Sequence, residues 1–185
     1  MNKYLILVGS ILFSGCLGND GEVDNPKNPD NEEEVITTLT LKFINQNSTE
    51  DTISVTYFDP DGDGGNGPLA FDSIALDNGT YNVEMEILDE SNSNEIINIG
   101  EEIEEEADEH QFFFQTDIPG FTIEYDDQDI NGNPLGLKTI WRITKAGNGD
   151  VIVILKHQPD QKPSAPGNIN IGATDIELSF PTIVR

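Results

Sequence analysis

"TLTLKF", residues 38–43, decides how this chain folds. On an extended backbone Leu39, Leu41 and Phe43 fall on one face and Thr40 and Lys42 on the other, the period of a strand with one buried and one wet side. The same alternation recurs along the chain. Ile53, Val55 and Tyr57 alternate in "ISVTY", and Tyr81, Val83, Met85 and Ile87 in "YNVEMEI". Phe121, Ile123 and Tyr125 do so in "FTIEY", and Ile176, Leu178 and Phe180 in "IELSF". Alternating runs of this kind belong to antiparallel sheets that pack one face on a core. "VIVIL", 151–155, is apolar throughout and reads as a central strand covered on both sides; "LKTIWRI", 137–143, reads as another strand and holds the only Trp. Asn78-Gly79 and Asn148-Gly149 each precede a strand and suit tight hairpins. Pro181 marks an edge or a bulge in the last strand. One segment departs from the period. "GEEIEEEADEH", 100–110, is rich in helix formers and reads as a short acidic helix with Ile103 and Ala107 facing inward.

A repeat runs through the domain. "TISVTYFDPDGDGGNGPL", 52–69, aligns with "FTIEYDDQDINGNPL", 121–135, so that Tyr57, Asp59, Asp61, Asp63 and Gly64 match Tyr125, Asp127, Asp129, Asn131 and Gly132. Each half reads as strand, Asp/Gly loop, short strand, Asn-Gly turn and long strand. The expected architecture is all-β: an antiparallel two-sheet sandwich with an internal duplication and one short acidic helix, the duplication placing both loops at one end.

The first 16 residues, "MNKYLILVGSILFSGC", carry Lys3, an apolar stretch from Tyr4 to Phe13 and small residues before Cys16. This is the form of a secretory signal, too short in its apolar part to span a bilayer. Cys16 is the only cysteine, so no internal disulfide accounts for it. "FSGC" resembles the lipobox of bacterial lipoproteins, and the resemblance implies that Cys16 is lipidated and becomes the first residue. "LGNDGEVDNPKNPDNEEE", 17–34, has almost nothing apolar and reads as a flexible, charge-extended tether. Its acids, close behind the lipidated cysteine, resemble the surface-export signal of Bacteroidetes lipoproteins. The expected organisation is a signal peptide over 1–15, a tether over 16–34 and a β-sandwich over 35–185. With "DPDGDGGN", "EEADEHQFFF" and "KHQPD", the whole chain is similar to small Bacteroidetes lipoproteins. That resemblance implies lipid anchoring at the outer membrane, facing the periplasm or the surface.

Nine Lys+Arg against 35 Asp+Glu give a formal charge of −26. Such a surface repels nucleic-acid phosphates and attracts divalent cations and basic partners. "DPDGDG" (Asp59, Asp61, Asp63) and "DQDING" (Asp127, Asp129, Asn131) both fit the first half of a calcium loop, where alternate oxygens converge on one hard cation and the glycine permits the bend. The bidentate Glu that would close such a loop is Ala70 in one and Lys138 in the other. Calcium would therefore bind in a different geometry, or the loops are ordinary Asp/Gly turns. The two histidines, His110 and His157, are each followed by Gln and lie beside strands. If they meet, they suit zinc, copper or a haem iron; apart, they are hydrogen-bonded structural residues. Nucleophile-elbow, zincin and phosphate-loop motifs are absent. The reading that leads is a non-enzymatic, lipid-anchored binding or accessory module of the envelope, calcium-stabilised, with a glycan or a protein as ligand. A metal or haem carrier comes second, and a hydrolase with a carboxylate pair third.

Overall fold

The structure, a computed structural model, describes residues 34–62 and 65–185, without the side chains of Thr49, Glu50 and Asp51. The signal segment, Cys16, the tether up to residue 33, and Asp63 lie outside the described residues. In chain order the elements are β1 (Thr38–Asn45), β2 (Ser48–Phe58), β3 (Ala70–Phe71), β4 (Ile74–Leu76), β5 (Gly79–Asp89), β6 (Ile97–Asn98), α1 (Ile99–Glu105), β7 (His110–Thr116), β8 (Phe121–Tyr125), β9 (Lys138–Ile143), β10 (Gly147–His157) and β11 (Ala173–Val184).

Two sheets form a sandwich. The larger runs β3-β2-β1-β5-β9-β8, with β6 added beside the end of β5; the smaller runs β4-β11-β10-β7. The "TLTLKF" strand is near the middle of the larger sheet, paired to β2 from Thr38↔Phe58 and to β5 from Thr38↔Leu88. Its Leu39, Leu41 and Phe43 are all fully buried, as the alternation requires. From the smaller sheet Phe112, Val153, Leu155 and Phe180 meet them. Trp141 of β9 sits in the centre of an aromatic cluster, edge-on to Phe43 at 5.1 Å, Phe121 at 5.3 Å and Phe114 at 6.1 Å. Its indole N–H donates to Thr139 Oγ1 at 2.8 Å, so the buried ring leaves no polar atom unpaired. The opposite face carries pairs of its own: Thr40, which is buried, with Thr56, and Lys42 with Glu86.

The apolar "VIVIL" run is the inner strand β10, flanked by β11 and β7. Ile154 points away from the core and is still buried. The acidic segment forms α1 with Ile103 fully buried, although the helix ends at Glu105, so half-buried Ala107 lies beyond it. Pro181 sits in β11 just before Thr182, where pairing to β4 begins, so the strand is still an edge on that side. Ile53 follows its pattern less well. It stays 39 % exposed at the part of β2 that β3 does not reach.

The hairpin expectation for the two Asn-Gly pairs is corrected. Asn78-Gly79 leads from β4 of the smaller sheet into β5 of the larger one, Gly79 being the first residue of β5. Asn148-Gly149 lies at the start of β10, after β9 of the larger sheet. Both pairs are thus at places where the chain changes sheets. The repeated segments also take non-equivalent places: β5 and β10 correspond in sequence but belong to different sheets. The loop geometry does hold, because β2 and β8 run in the same direction through the antiparallel pairings of β1, β5 and β9. Both Asp loops therefore leave the larger sheet at the same end. The start of β1, helix α1 and the His110–His157 end of the smaller sheet lie there too.

Candidate functional site

The register of β7 against β10 pairs His110 directly with His157. Period two then gives the repeated His-Gln dipeptide a physical meaning. Both imidazoles face the sandwich interior, continuing the rows of Phe112 and Leu155, while Gln111 and Gln158 face outward. The two amides hold the 159–172 segment against the outer surface. Gln158 Nε2 donates to the Asn168 and Ile171 carbonyls at 2.9 Å each, and Gln111 Nε2 to the Pro166 carbonyl at 3.1 Å. Gly172 closes this cover with a φ of +79°, and a Cβ there would overlap the His157 carbonyl.

The rings stack almost parallel, 8° apart with centroids 4.5 Å from each other. His110 Nδ1 donates to the Glu106 carbonyl at 3.2 Å, just past the end of α1. Its Nε2 lies 2.8 Å from Glu34 Oε1, where the chain leads into β1. His157 Nε2 lies 3.5 Å from Glu109 Oε2. His110 is fully buried, and the Glu34 side chain is only 9 % exposed. Glu34 Oε2, His110 Nε2 and His157 Nδ1 are all buried without a hydrogen bond, so the Glu34–His110 contact is a close ion-pair approach. Burial works against the charge on Glu34, but the close contact and positive charge of His110 outweigh it and hold the carboxyl below its usual range. Burial also opposes the imidazolium of His110. Glu34, the Glu106 carbonyl and the charge of Asp175 overcome it and raise the His110 pKa. The two shifts favour opposite charges on Glu34 and His110, which face each other at 2.8 Å.

In the second Asp/Gly loop both carboxylates are engaged by groups of the chain itself. Asp127 accepts from the backbone N–H of Gly136 at 2.6 Å and of Lys138 at 2.8 Å, one to each oxygen. Asp129 Oδ1 accepts from the N–H groups of Asn131 and Asn133, both at 2.8 Å. Its Oδ2 takes the ammonium of Lys162 at 3.0 Å, and that ammonium also donates to the Ala107 carbonyl at 2.6 Å. The cation that satisfies this loop is a lysine of the same chain. Gly136, at φ +101°, threads between Phe112 and Tyr125, where a Cβ would stand 2.8 Å from the Phe112 Cβ.

The first loop differs. Asp59 is 4 % exposed; its Oδ2 accepts from the Tyr57 hydroxyl at 3.3 Å and its Oδ1 has no partner. The Asp61 carboxylate accepts from the backbone and side-chain N–H groups of Asn66 at 2.9 and 2.7 Å. Those two bonds, then its contact with the Asp59 carboxyl, hold Asp61 below the ordinary carboxylate range.

The sequence singled out His110 and His157, and the structure joins them. Glu34, Glu106, Glu109, Asp175 and Lys162 were not singled out. Glu34 ends a run of three glutamates that all read as tether, and nothing in that run distinguishes the one that docks. Lys162 had a signal: in so acidic a chain, each of the nine basic residues has many carboxylates competing for it. No protein-family model, curated protein or solved structure matches this chain.

Proposed function

We propose that this chain is a lipid-anchored module of the cell envelope, held at the outer membrane through Cys16, and that its β-sandwich acts by binding a ligand. The observation that supports this reading is the position of Glu34. The segment leading from Cys16 reaches the domain at the same end as the buried histidine pair, and Glu34 is paired with one of them. The anchored end and the chemically distinctive end of the sandwich coincide. No helix among the described residues is long and apolar enough to cross a membrane. In this reading the acyl chains on Cys16 are the anchor, each buried methylene adding ~0.8 kcal/mol. Cys16→Ala should abolish incorporation of labelled fatty acid and move the protein from the membrane to the soluble fraction. Unchanged labelling and fractionation would refute the anchor.

A second reading, calcium stabilisation, rests on the partnerless Asp59 Oδ1 beside the Asp61 carboxylate. Two carboxylates in contact repel unless a cation or a proton lies between them. Extracellular calcium modules work at Kd ~10⁻⁴–10⁻³ M. At about 10 mM calcium this linkage adds roughly 1.4–2.7 kcal/mol, or a rise in Tm of about 3–11 °C. Asp61→Ala should remove that rise. Asp127→Ala should lower the starting Tm and leave the rise intact, because both Asp127 oxygens serve the backbone. A Tm that calcium leaves unchanged would reduce the first loop to a polar turn.

A further inference from the structure

We infer that Glu34, His110 and His157 form a binding site for a divalent transition metal of the zinc or copper class. The inference names the ligand of the binding module proposed above and rests on that reading for its location, although the site is testable without the anchor.

Three potential ligand atoms, one from each residue, lie within 4.8 Å of one another. His110 is already oriented as a metal ligand. Its Nδ1–H is fixed on the Glu106 carbonyl, which leaves Nε2 as the coordinating nitrogen, buried without a hydrogen bond 2.8 Å from Glu34 Oε1. A backbone carbonyl holding the far nitrogen is the usual way a protein sets a ligating imidazole. A metal would sit between Nε2 and the Glu34 carboxylate, which already face each other across the buried gap. His157 presents a second imidazole from the neighbouring strand, stacked on His110 and 3.5 Å from Glu109, with its Nδ1 buried and without a hydrogen bond. Tetrahedral zinc with bonds of about 2.0–2.2 Å needs ligand atoms roughly 3.3–3.6 Å apart. The Glu34–His110 pair, now at 2.8 Å, must open by about half an ångström, and any pair near the 4.8 Å limit must close by about 1.2–1.5 Å. The partnerless Glu34 Oε2 offers a further oxygen. Glu109, 3.5 Å from His157 Nε2, stands at the rim as a fourth donor in place of water.

The surrounding charge favours a cation. Glu34, Glu109 and Asp175 bring three carboxylates to two imidazoles, and the Asp175 charge acts on His110. The donor set also selects among cations. Two nitrogens with one carboxylate suit zinc, copper(II) or nickel, whereas calcium and magnesium take oxygen. The parallel stack disfavours haem, whose two axial imidazoles approach from opposite faces of the macrocycle. Here the rings lie face to face 4.5 Å apart, with no room for a porphyrin between them.

The test is a titration of the full chain, purified in detergent and stripped with a chelator, against zinc, calcium and magnesium. One zinc per chain should bind, and the His110 and His157 ring signals should move together in the ¹⁵N–¹H spectrum. Removing one ligand should weaken binding by about a hundredfold or more, beyond the 10–100-fold typical of outer-shell partners. His157→Ala and Glu34→Gln serve as the ligand variants. Because a buried variant can unfold, cobalt on the wild type gives a second readout: visible absorption of a tetrahedral N/O site, displaced by one equivalent of zinc. Asp61→Ala should leave zinc affinity unchanged. Zinc bound equally well by wild type, His157→Ala and Glu34→Gln would overturn the site, as would unmoved ring signals at saturating zinc. Neither result would bear on Cys16, whose lipidation is read separately by fractionation.

Discussion

Lys162→Ala should destabilise the domain by about 3–5 kcal/mol, the cost of leaving a buried charge without its partner. The Asp129 side chain is 0 % exposed and the Lys162 side chain 2 %, so water cannot replace the ammonium that is lost. The damage extends past one carboxylate. Lys162 also caps the Ala107 carbonyl behind α1, and Asp129 organises the 129–133 turn through two backbone N–H groups. For a chain of this size the loss corresponds to a fall in Tm of about 6–20 °C. The pH dependence gives a further check. Burial resists ionisation of Asp129, but Asn133, Lys162 and Asn131 together hold its pKa below the ordinary value. A carboxyl depressed on folding adds stability above its unfolded pKa of ~3.9 and loses it as pH falls through the folded value. The gap between wild type and Lys162→Ala should therefore be full at neutral pH and close below about pH 4. Chemical denaturation at several pH values measures this. A variant within 1 kcal/mol of wild type at neutral pH would mean that the pair contributes no net stability.

Trp141→Ala should cost about 3–5 kcal/mol, for a different reason. The indole fills the space between the sheets and contacts Phe43, Phe114 and Phe121, so its removal opens a cavity that both sheets would have to collapse to fill. Thr139 Oγ1 would also lose its donor in a buried place. Trp141→Phe should recover much of the loss, because it keeps the aromatic contacts and gives up only the smaller ring and the hydrogen bond. Urea denaturation should show a lower midpoint with an unchanged slope for both. A Trp141→Ala variant as stable as wild type would place the core elsewhere.

The sequence patterns that survived in the structure are those with a simple local cause. Leu39, Leu41 and Phe43 alternate because a strand alternates, and all three are buried. Ile103 stands among glutamates and faces inward together with Ile99, one turn before it on the same helix face. The shared end of the two Asp loops was also legible, since it depends only on strand direction. What failed depended on choosing between sheets. An Asn-Gly pair specifies a tight turn but not whether the next strand returns to its neighbour, and Asn78-Gly79 and Asn148-Gly149 both send the chain across to the other sheet. Likewise "DQDING" carries the same Asp spacing as "DPDGDG", and only the distant Lys162 decides that one of them is satisfied internally. The site was half legible. The repeated His-Gln dipeptide follows strand alternation, with rings inward and amides outward. Pairing of the two rings depends on register across two strands, and the part played by Glu34 on a contact that no local pattern encodes.

The central claim is that these three side chains hold a metal. The measurement that tests it most directly is anomalous X-ray scattering from crystals of the zinc-loaded chain, with data collected on both sides of the zinc absorption edge. One strong peak should appear, bonded to a nitrogen of His110, a nitrogen of His157 and a carboxylate oxygen of Glu34, at about 2.0–2.2 Å from each. Zinc peaks confined to the acidic surface, with the Glu34–His110 contact unchanged beneath them, would contradict it.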